Sequence, residues 1–278
     1  MKKEYIKFWG VRGSFPTPEK DKLKYGGETS CVEIVTSNND CIVLDMGTGI
    51  KNLGKDILNN KSYPREINIF LSHYHWDHIM GFFSFAPLYH KEFTINIYGY
   101  NKNTSIEMLK DVLINKNFWP VDKEMYNAKI NFIELETSSD KINYKKINKT
   151  KVYYSLHPHP NGSNSFRVED KNKKICYITD CEHPSGSLNQ NVIDIANDSD
   201  VLIHDSHFTL SDLTKYKGWG HSSWKQAVDV AIVSRSKQLV LFHYCPDYSD
   251  DTVLENEKNA QKKFVNTIAS YQGFSIEF

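Results

Sequence analysis

The stretch LSHYHWDH, residues 71–78, places three histidines and one aspartate within six consecutive positions. His73 and His75 are two residues apart, so in an extended segment their side chains point the same way. Neutral imidazoles and carboxylates are good ligands for zinc and similar divalent ions. His73 and His75 therefore predict one metal-binding position, and Asp77 and His78, which lie beyond a turn, predict a second.

Apolar, strand-like runs elsewhere in the chain also end directly on residues of metal-binding type. These residues are Asp45 after CIVL, Asp180 after KICYIT, His204 and Asp205 after VLI, and His243 after QLVLF. A polar residue commonly ends a strand, so one such case indicates little. Binding residues concentrate on loops that a rigid scaffold positions, so the repeated pattern predicts one site built from the ends of several strands.

Composition and charge are typical of a globular domain. Of the 278 residues, 40% are hydrophobic and 24% are charged, and 34 basic residues balance 34 acidic ones. A net charge of zero provides no global positive field to attract nucleic acid, which disfavours a long polynucleotide partner. The chain shows no internal repeat and no Gly/Ser linker, which favours a single domain.

Two features bear on the compartment in which the protein works. The N-terminus has no apolar run as long as that of a signal peptide, and no stretch of about 18 apolar residues is present to span a membrane. The five cysteines are irregularly spaced, which indicates reduced thiols rather than a disulfide framework. These features predict a cytoplasmic protein with no membrane partner.

Strand-like runs followed by helical patterns occur twice along the chain. Helical apolar spacing is present at 105–116, in the residues after GHSS (220–223), and at about 255–271. Ser222 or Ser223 is the expected N-cap of the second of these helices. This order of elements predicts an α+β fold in which two packed sheets are covered by helices.

The segment HYHWDH resembles the HxHxDH motif of the metallo-β-lactamase superfamily. Further segments agree with that superfamily in order along the chain: VLDMGTG, HPNGSNSFRV, YITDCEH, LIHDSHF, GWGHSS and LVLFHY. The resemblance implies a four-layer αββα sandwich with a two-metal site, formed by one domain over residues 1–278. Within the superfamily the chain looks most similar to the phosphodiesterase branch, which contains the tRNA 3′-processing enzyme ribonuclease Z and small cyclic-phosphodiester hydrolases.

The resemblance also implies which residues hold the metal ions. It assigns the first ion to His73, His75 and His159, the second ion to Asp77, His78 and His243, and a bridging role to Asp180. His157, in LHPHPNG (156–162), is the alternative to His159. Zinc suits these ligands best, and manganese or iron would be held by the same set.

The chemistry of a two-metal site is consistent with these roles. Two dications about 3.5–4 Å apart repel each other, and a shared carboxylate and a shared hydroxide offset that repulsion. The same two ions lower the pKa of the bridging water, so that a hydroxide nucleophile exists near neutral pH. Asp77 would orient that hydroxide. Asp45 would fix the tautomer of a ligand histidine; the alternative is that it caps the turn in DMGTG.

His221 and Asp205 indicate the class of reaction. His221, in GWGHSS, directly precedes a predicted helix, where free backbone N–H groups favour an anion. His221 would donate a proton to the leaving oxygen while Asp205 holds its tautomer, as in the His-Ser-Thr motif of ribonuclease Z. Arg12 and Arg167 are weaker candidates for binding the phosphate, since guanidinium groups bind such oxygens bidentately. The alternative for Arg12 is an exposed arginine in a turn.

We therefore expect a dinuclear hydrolase that cleaves a small phosphodiester, for example a cyclic nucleotide. Segment 101–127 looks like an insertion that would form a lid, and the long arm by which many ribonuclease Z enzymes grip tRNA is not evident. The alternatives are a thioester or lactone hydrolase on the same metals, a tRNA 3′-processing endonuclease, and a metal-dependent sensor without turnover. His204 and His207, which flank Asp205, are interpreted as packing residues. A homodimer is compatible with the resemblance, since dimers are common in that branch.

Overall fold

The computed structural model describes residues 4–136 and 142–278. The strands, in chain order, are β1 Tyr5–Gly10, β2 Cys31–Val35, β3 Cys41–Leu44, β4 Glu66–Phe70, β5 Thr94–Gly99, β6 Lys129–Glu134, β7 Asn143–Ile147, β8 Thr150–His157, β9 Ser163–Asp170, β10 Lys173–Ile178, β11 Val201–Asp205, β12 Leu239–Phe242, β13 Thr267–Ala269 and β14 Ser275–Glu277. The α-helices are α1 Ile50–Asn59, α2 Trp76–Ile79, α3 Ile106–Leu113, α4 Gln190–Ala196, α5 Leu210–Lys215, α6 Trp224–Val233 and α7 Asp250–Gln261. Short 3₁₀ turns occupy Lys20–Lys22, Phe82–Ser84, Ala86–Tyr89 and Lys123–Met125.

The strands form two seven-stranded sheets, in the orders β14-β1-β2-β3-β4-β5-β6 and β13-β12-β11-β10-β9-β8-β7. Strands β3 to β6 run parallel in the first sheet, and strands β10 to β13 run parallel in the second. Ligands bind beyond the carboxyl ends of parallel strands, where the following loops meet. Each sheet therefore presents the residues that follow its parallel strands along one edge.

The two sheets pack face to face through large apolar side chains. Phe8 of β1 lies against Phe242 of β12 with ring centres 6.2 Å apart, and Phe70 of β4 meets Phe166 of β9 at 5.7 Å. All four rings are fully buried, and burying such a side chain contributes about 1.5–3 kcal/mol relative to leaving it exposed. This shared inner layer holds the strand ends of one sheet opposite those of the other.

Helices cover the outer face of each sheet, so that the layers follow the order helix, sheet, sheet, helix. Leu53 of α1 and Leu109 of α3 pack with β4 and β5 on the outside of the first sheet. Val192 of α4, Val228 of α6 and Val253 of α7 pack on the second sheet. The predicted α+β sandwich of two sheets between helices is confirmed.

Two of the three predicted helices are confirmed. Helix α3 buries Ile106, Leu109 and Leu113 along one face. Helix α6 begins after the N-cap Ser223, whose side chain and that of Gln226 cap each other's backbone N–H groups. The capping box explains why the helix begins at this point and not one residue earlier.

The predicted helix at 255–271 is wrong in its second half. Helix α7 ends at Gln261, and Thr267–Ala269 forms strand β13, in which Ile268 pairs with Val240 of β12. A three-residue strand is too short to show an alternating pattern, and its apolar residue fits the helical spacing equally well. Residues 267–269 form a strand and not a helix because they pair with β12 at the edge of the second sheet.

Three further observations concern the sequence-based expectations on membranes, cysteines and the insertion. Within 4–136 and 142–278, no helix has both the length and the apolar character needed to cross a membrane. All five cysteines are free and buried. In segment 101–127, Trp119 stacks on Phe83 with ring centres 5.1 Å apart; the lid role of this segment stays a prediction.

Candidate metal centre

The first group of candidate ligands consists of His73, His75 and His159. His73 and His75 follow β4, and His159 follows β8, so the group joins both sheets. One ring nitrogen from each residue lies within 4.8 Å of those of the other two. His159 Nε2 and His75 Nδ1 are 3.1 Å apart. Three imidazoles whose nitrogens converge in this way provide three ligands for one divalent ion.

The second group consists of Asp77, His78 and His243. Asp77 and His78 lie in α2 directly after the first histidines, and His243 follows β12. Asp77 Oδ2 lies 3.2 Å from His78 Nε2 and 3.2 Å from His243 Nε2. A carboxylate and two imidazoles form the ligand set for a second ion.

Asp180, which comes just after β10, lies between the two groups. Its Oδ1 is 3.8 Å from His73 Nε2 and 3.7 Å from His159 Nε2. Its Oδ2 is 3.1 Å from His78 Nε2 and 3.2 Å from His243 Nε2. Because each carboxylate oxygen faces a different group, Asp180 is placed to bridge two ions.

Three residues of the site have left-handed backbone conformations directly beyond their strands. The φ angles are +62° at Asp45, +50° at Asp180 and +64° at His243. This region costs about 1–2 kcal/mol for a residue with a Cβ atom, and such strain concentrates at functional sites. At each of these residues the chain turns sharply beyond the end of the strand.

Protonation states in the site suit metal binding. Burial, reinforced by neighbouring histidines, lowers the pKa of His73 well below its ordinary value and that of His159 to about 4. Burial raises the pKa of Asp180, but the nearby histidines outweigh it and hold the pKa well below the usual range; the same holds for Asp77 beside His78. Neutral imidazoles and ionised carboxylates are the forms that bind divalent ions.

The buried nitrogens of the site fit a bound cation. His73 Nε2 and His78 Nε2 are buried and have no hydrogen-bond partner within residues 4–136 and 142–278. Burial lowers the pKa of His78, but the charges of Asp77, Asp180 and Asp45 raise it well above the ordinary value. These carboxylates therefore favour a positive charge at this point. A divalent ion would supply that charge and give both nitrogens a partner.

Asp45 is the centre of a buried hydrogen-bond network behind the candidate ligands. Its carboxylate accepts bonds from Ser72 N (2.7 Å), Ser72 Oγ (2.9 Å) and Tyr177 Oη (2.7 Å). It also lies 2.8 Å from His78 Nδ1, which donates to it. That bond leaves His78 Nε2 directed at Asp77 and Asp180, and it orients the ring.

We expect Asp45→Asn to weaken divalent-metal affinity about 10- to 100-fold. The amide cannot accept from four donors at once, so the His78 ring loses its fixed orientation. Competition with a chromophoric chelator measures the affinity. Asp40→Asn is the matched control, because Asp40 is a buried carboxylate at the opposite end of β3 that accepts from Thr150 Oγ1 at 2.7 Å. Equal losses of metal affinity in both variants would reduce Asp45 to a purely structural role.

His221 lies beside the metal centre and pairs with Asp205. Its Nδ1 is 3.1 Å from Asp205 Oδ2 and 3.7 Å from Asp180 Oδ1. Burial lowers the pKa of His221, but the hydrogen bond and charge of Asp205, followed by the charges of Asp180 and Asp77, raise it above the ordinary value. The arrangement favours a protonated imidazole next to the candidate ligands.

The loop that carries His221 is held by contacts from two sides. Glu182 accepts from Gly218 N at 2.9 Å and Gly220 N at 2.8 Å, and His159 Nδ1 donates to Gly220 O at 2.9 Å. Gly220 has a φ of +88°, and a Cβ atom there would lie 2.1 Å from His159 Nδ1. Only glycine fits this close approach, which fixes His221 relative to a candidate ligand.

Three of the N–H groups at the start of α6 that were expected to be free for an anion are already bonded. Ser223 N bonds to Gln226 Oε1, Gln226 N bonds to Ser223 Oγ, and Trp224 N bonds to Phe208 O. These donors are therefore already used. What this loop offers to a substrate is the side chain of His221.

Both arginines predicted to bind phosphate are directed elsewhere. Arg12 is fully buried and donates to the carbonyl oxygens of Gly26, Cys245 and Tyr248. It is therefore neither an exposed turn arginine nor able to reach a substrate. Arg167 pairs with Glu169 at 2.8 Å and donates to the carbonyl oxygen of Ile195, against α4. The two predictions of phosphate binding are wrong, because these guanidinium groups serve the scaffold.

The structure also separates the two histidines of LHPHPNG. His159 belongs to the first ligand group, whereas His157 Nε2 donates to the carbonyl oxygens of Thr179 and Asp180, both at 3.0 Å. His157 Nδ1 bonds to Ser165 Oγ at 2.7 Å. With both nitrogens used, His157 orients the turn before Asp180 and has no free ligand atom.

His207 is a site residue that the sequence reasoning missed. It stacks on His221 with ring centres 4.0 Å apart and an angle of 12° between the rings. This buried, stacked ring agrees with the interpretation of His207 as a packing residue, and it also places His207 beside the candidate site. The only signal in the sequence was its place two residues after Asp205, and no motif distinguished it from His204, which is buried within β11.

Comparison with known proteins gives the class to which this fold and site belong. Residues 42–244 match the family described as the Beta-lactamase superfamily domain. The chain belongs to this superfamily and is a metal-dependent hydrolase of it, with histidine and aspartate side chains as candidate ligands for divalent metal.

Particular relatives extend over almost the whole chain. Ribonuclease Z of Thermoplasma acidophilum is 26% identical over an alignment of 316 positions, gaps included, which spans 95% of this chain and 93% of that protein. Among solved structures, the metallo-beta-lactamase fold protein YhfI from Bacillus subtilis has a TM-score of 0.73 at 19% identity, with complete coverage of both chains. The short form of human tRNase Z has a TM-score of 0.68 at 19% identity and covers 98% of each chain. These structural likenesses establish the metallo-β-lactamase fold.

Proposed function

We propose that this protein is a dinuclear metal-dependent phosphodiesterase that acts on a small phosphodiester such as a cyclic nucleotide. The observation that carries the proposal is the pair of His221 and Asp205, 3.1 Å apart, beside two groups of candidate ligands joined by Asp180. The alkoxide that leaves a phosphodiester needs a proton, and this pair supplies one. Hydrolysis of a thioester on the same metals would not require it, because a thiolate leaves readily without a proton.

The residues of the candidate site have two proposed roles, metal binding and proton transfer. We assign His73, His75 and His159 to one ion, Asp77, His78 and His243 to the other, and Asp180 to both; zinc is the proposed metal, with manganese or iron as alternatives. When bound, the ions would activate water and stabilise negative charge on the phosphate. Asp77 is held in place by Ser14 N, which donates to its Oδ2 at 2.7 Å. His221 protonates the leaving oxygen while Asp205 accepts from its Nδ1.

The size of the substrate separates this proposal from processing of tRNA. Relatives named ribonuclease Z favour an RNA substrate, and this alternative is kept as the second candidate. Basic and acidic residues are equal in number at 34 each, so the whole chain provides no net attraction for a polyanion. Trp119 of the proposed lid stacks on Phe83, and aromatic side chains of this kind also stack on single bases.

The first test is turnover of bis(p-nitrophenyl) phosphate by the purified protein. We expect activity with zinc or manganese, loss of at least about 100-fold after removal of metal by a chelator, and recovery when either ion is returned. Release of p-nitrophenolate and metal content by mass spectrometry are measured on the same samples. Absence of turnover with metal demonstrably bound would favour acyl hydrolysis or a sensor that binds without turnover.

A further inference from the structure

His207 is held rigidly beside the proposed proton donor. Its ring lies parallel to that of His221 at 4.0 Å, and its backbone N–H donates to Asp205 Oδ1 at 2.8 Å. Asp205 therefore anchors both histidines, through one carboxylate oxygen each. The two imidazole rings are thus stacked side by side, with their centres 4.0 Å apart.

The hydrogen bonds of His207 determine which of its nitrogens carries a proton. His207 Nδ1 lies 3.0 Å from the carbonyl oxygen of His243, and a carbonyl only accepts, so Nδ1 is the donor. In the neutral imidazole, Nε2 then carries a lone pair. His207 Nε2 has no hydrogen-bond partner among the described residues. The neutral ring offers an acceptor, not a donor, beside His221.

We propose that His207 Nε2 accepts a hydrogen bond from the 2′-hydroxyl of a ribonucleoside whose 3′-oxygen is the leaving group. The inference rests on the proposed function, in which His221 protonates that oxygen. Water adds to phosphorus, the bond from phosphorus to O3′ breaks, and O3′ takes the proton from His221. A 2′-hydroxyl is adjacent to O3′ on the ribose, just as His207 is adjacent to His221. The site therefore selects ribose over deoxyribose.

The alternative role for His207 is to bind a cation. Nitrogens of His207, His221 and His243 lie within 4.8 Å of one another. A cation held there would, however, require a lone pair on His221 Nε2, whereas the proposed reaction needs a proton on that nitrogen; the bond from Nδ1 to Asp205 is compatible with either role. The substrate-binding role leaves His221 free to act, and metal content distinguishes the two roles.

Substrates that differ only at the 2′ position test the inference without any mutation. The metal-loaded enzyme is assayed with UpU, its 2′-deoxy form and its 2′-fluoro form, and with uridine 3′,5′-cyclic phosphate and its 2′-deoxy form. We expect the 2′-hydroxyl to raise kcat/KM about 10-fold, since neither hydrogen nor fluorine can donate. The products are uridine and uridine 5′-phosphate from UpU, and uridine 5′-phosphate from the cyclic diester. The ribose substrate with the higher kcat/KM shows whether the enzyme prefers a linear or a cyclic diester.

Variants of His207 test the same contact from the side of the protein. His207→Phe is expected to bring the ribose-to-deoxyribose ratio close to one, whereas His207→Gln, which keeps an acceptor oxygen, is expected to retain a preference. His204→Phe, at a buried histidine in the preceding strand β11, is the control and retains the ratio. Thermal melting verifies that each variant is folded. The ratio is independent of the amount of active enzyme.

Four outcomes would overturn the inference. Equal kcat/KM for ribose and deoxyribose substrates in the unaltered enzyme overturns it and leaves the proposed function intact. If bis(p-nitrophenyl) phosphate is hydrolysed but none of the uridine substrates is, the ribonucleoside inference is overturned and the proposed phosphodiesterase activity is not. Loss of a metal equivalent in folded His207→Phe assigns the residue to a cation instead. Failure of every diester overturns the proposed function and this inference with it.

Discussion

Asp180→Asn is expected to lose most of the bound metal and to lower phosphodiester turnover about 1000-fold. The carboxylate oxygens of Asp180 face different ligand groups, with Oδ2 3.1 Å from His78 Nε2 and Oδ1 3.7 Å from His159 Nε2. An amide has one acceptor oxygen and one NH₂ group, so it cannot bind two cations. The loss corresponds to the several kcal/mol of transition-state stabilisation that metal ions supply.

Metal content and thermal stability measure the effect of Asp180→Asn. An ion that binds only the folded state raises the melting temperature, so added zinc is expected to stabilise the unaltered protein and to stabilise Asp180→Asn far less. Asp229→Asn is the control, because Asp229 forms a half-exposed pair with Lys225 on α6, and such surface pairs contribute little. A variant at Asp180 that kept both ions and full turnover would remove the bridging role on which the two-metal proposal depends.

The sequence was sufficient to predict the layered fold and the strand ends that supply the site. Apolar runs such as CIVL and QLVLF form buried strands, and Asp45 and His243 follow them directly. Local pattern is enough here, because parallel strands align their carboxyl ends and so bring the following residues together. The short interval between His73 and His78 likewise keeps them in one turn.

Contacts between distant parts of the chain were beyond the sequence reasoning. Arg12 reaches the carbonyl oxygen of Tyr248, 236 positions away, and no local pattern shows that its guanidinium is buried. His207 becomes a site residue only because its ring stacks on His221, in a loop held by Glu182. Which histidine of LHPHPNG faces the centre depends on where β8 ends, at His157. The resemblance to the superfamily favoured His159 but did not exclude His157.

His221→Ala is expected to slow hydrolysis of a diester with an alkoxide leaving group about 100- to 10,000-fold, the range for loss of a general acid. Hydrolysis of bis(p-nitrophenyl) phosphate is expected to fall much less, because p-nitrophenolate leaves without a proton. The two kcat values, for UpU and for bis(p-nitrophenyl) phosphate, are compared in the same preparations. His90→Ala serves as the control, since His90 has an exposed side chain that only approaches Glu92, at 3.9 Å.

The pH profile connects the loss in His221→Ala to proton donation. Burial lowers the pKa of His221, but Asp205 and the other carboxylates raise it above its ordinary value. Activity that needs protonated His221 is therefore retained above the ordinary histidine pKa and is lost as the pH rises through the raised value. Asp205→Asn removes the hydrogen-bonded charge, so the basic limb of kcat for UpU is expected to move to lower pH. An unmoved limb in Asp205→Asn, or equal slowing of both substrates in His221→Ala, would mean that His221 orients the substrate and does not donate the proton.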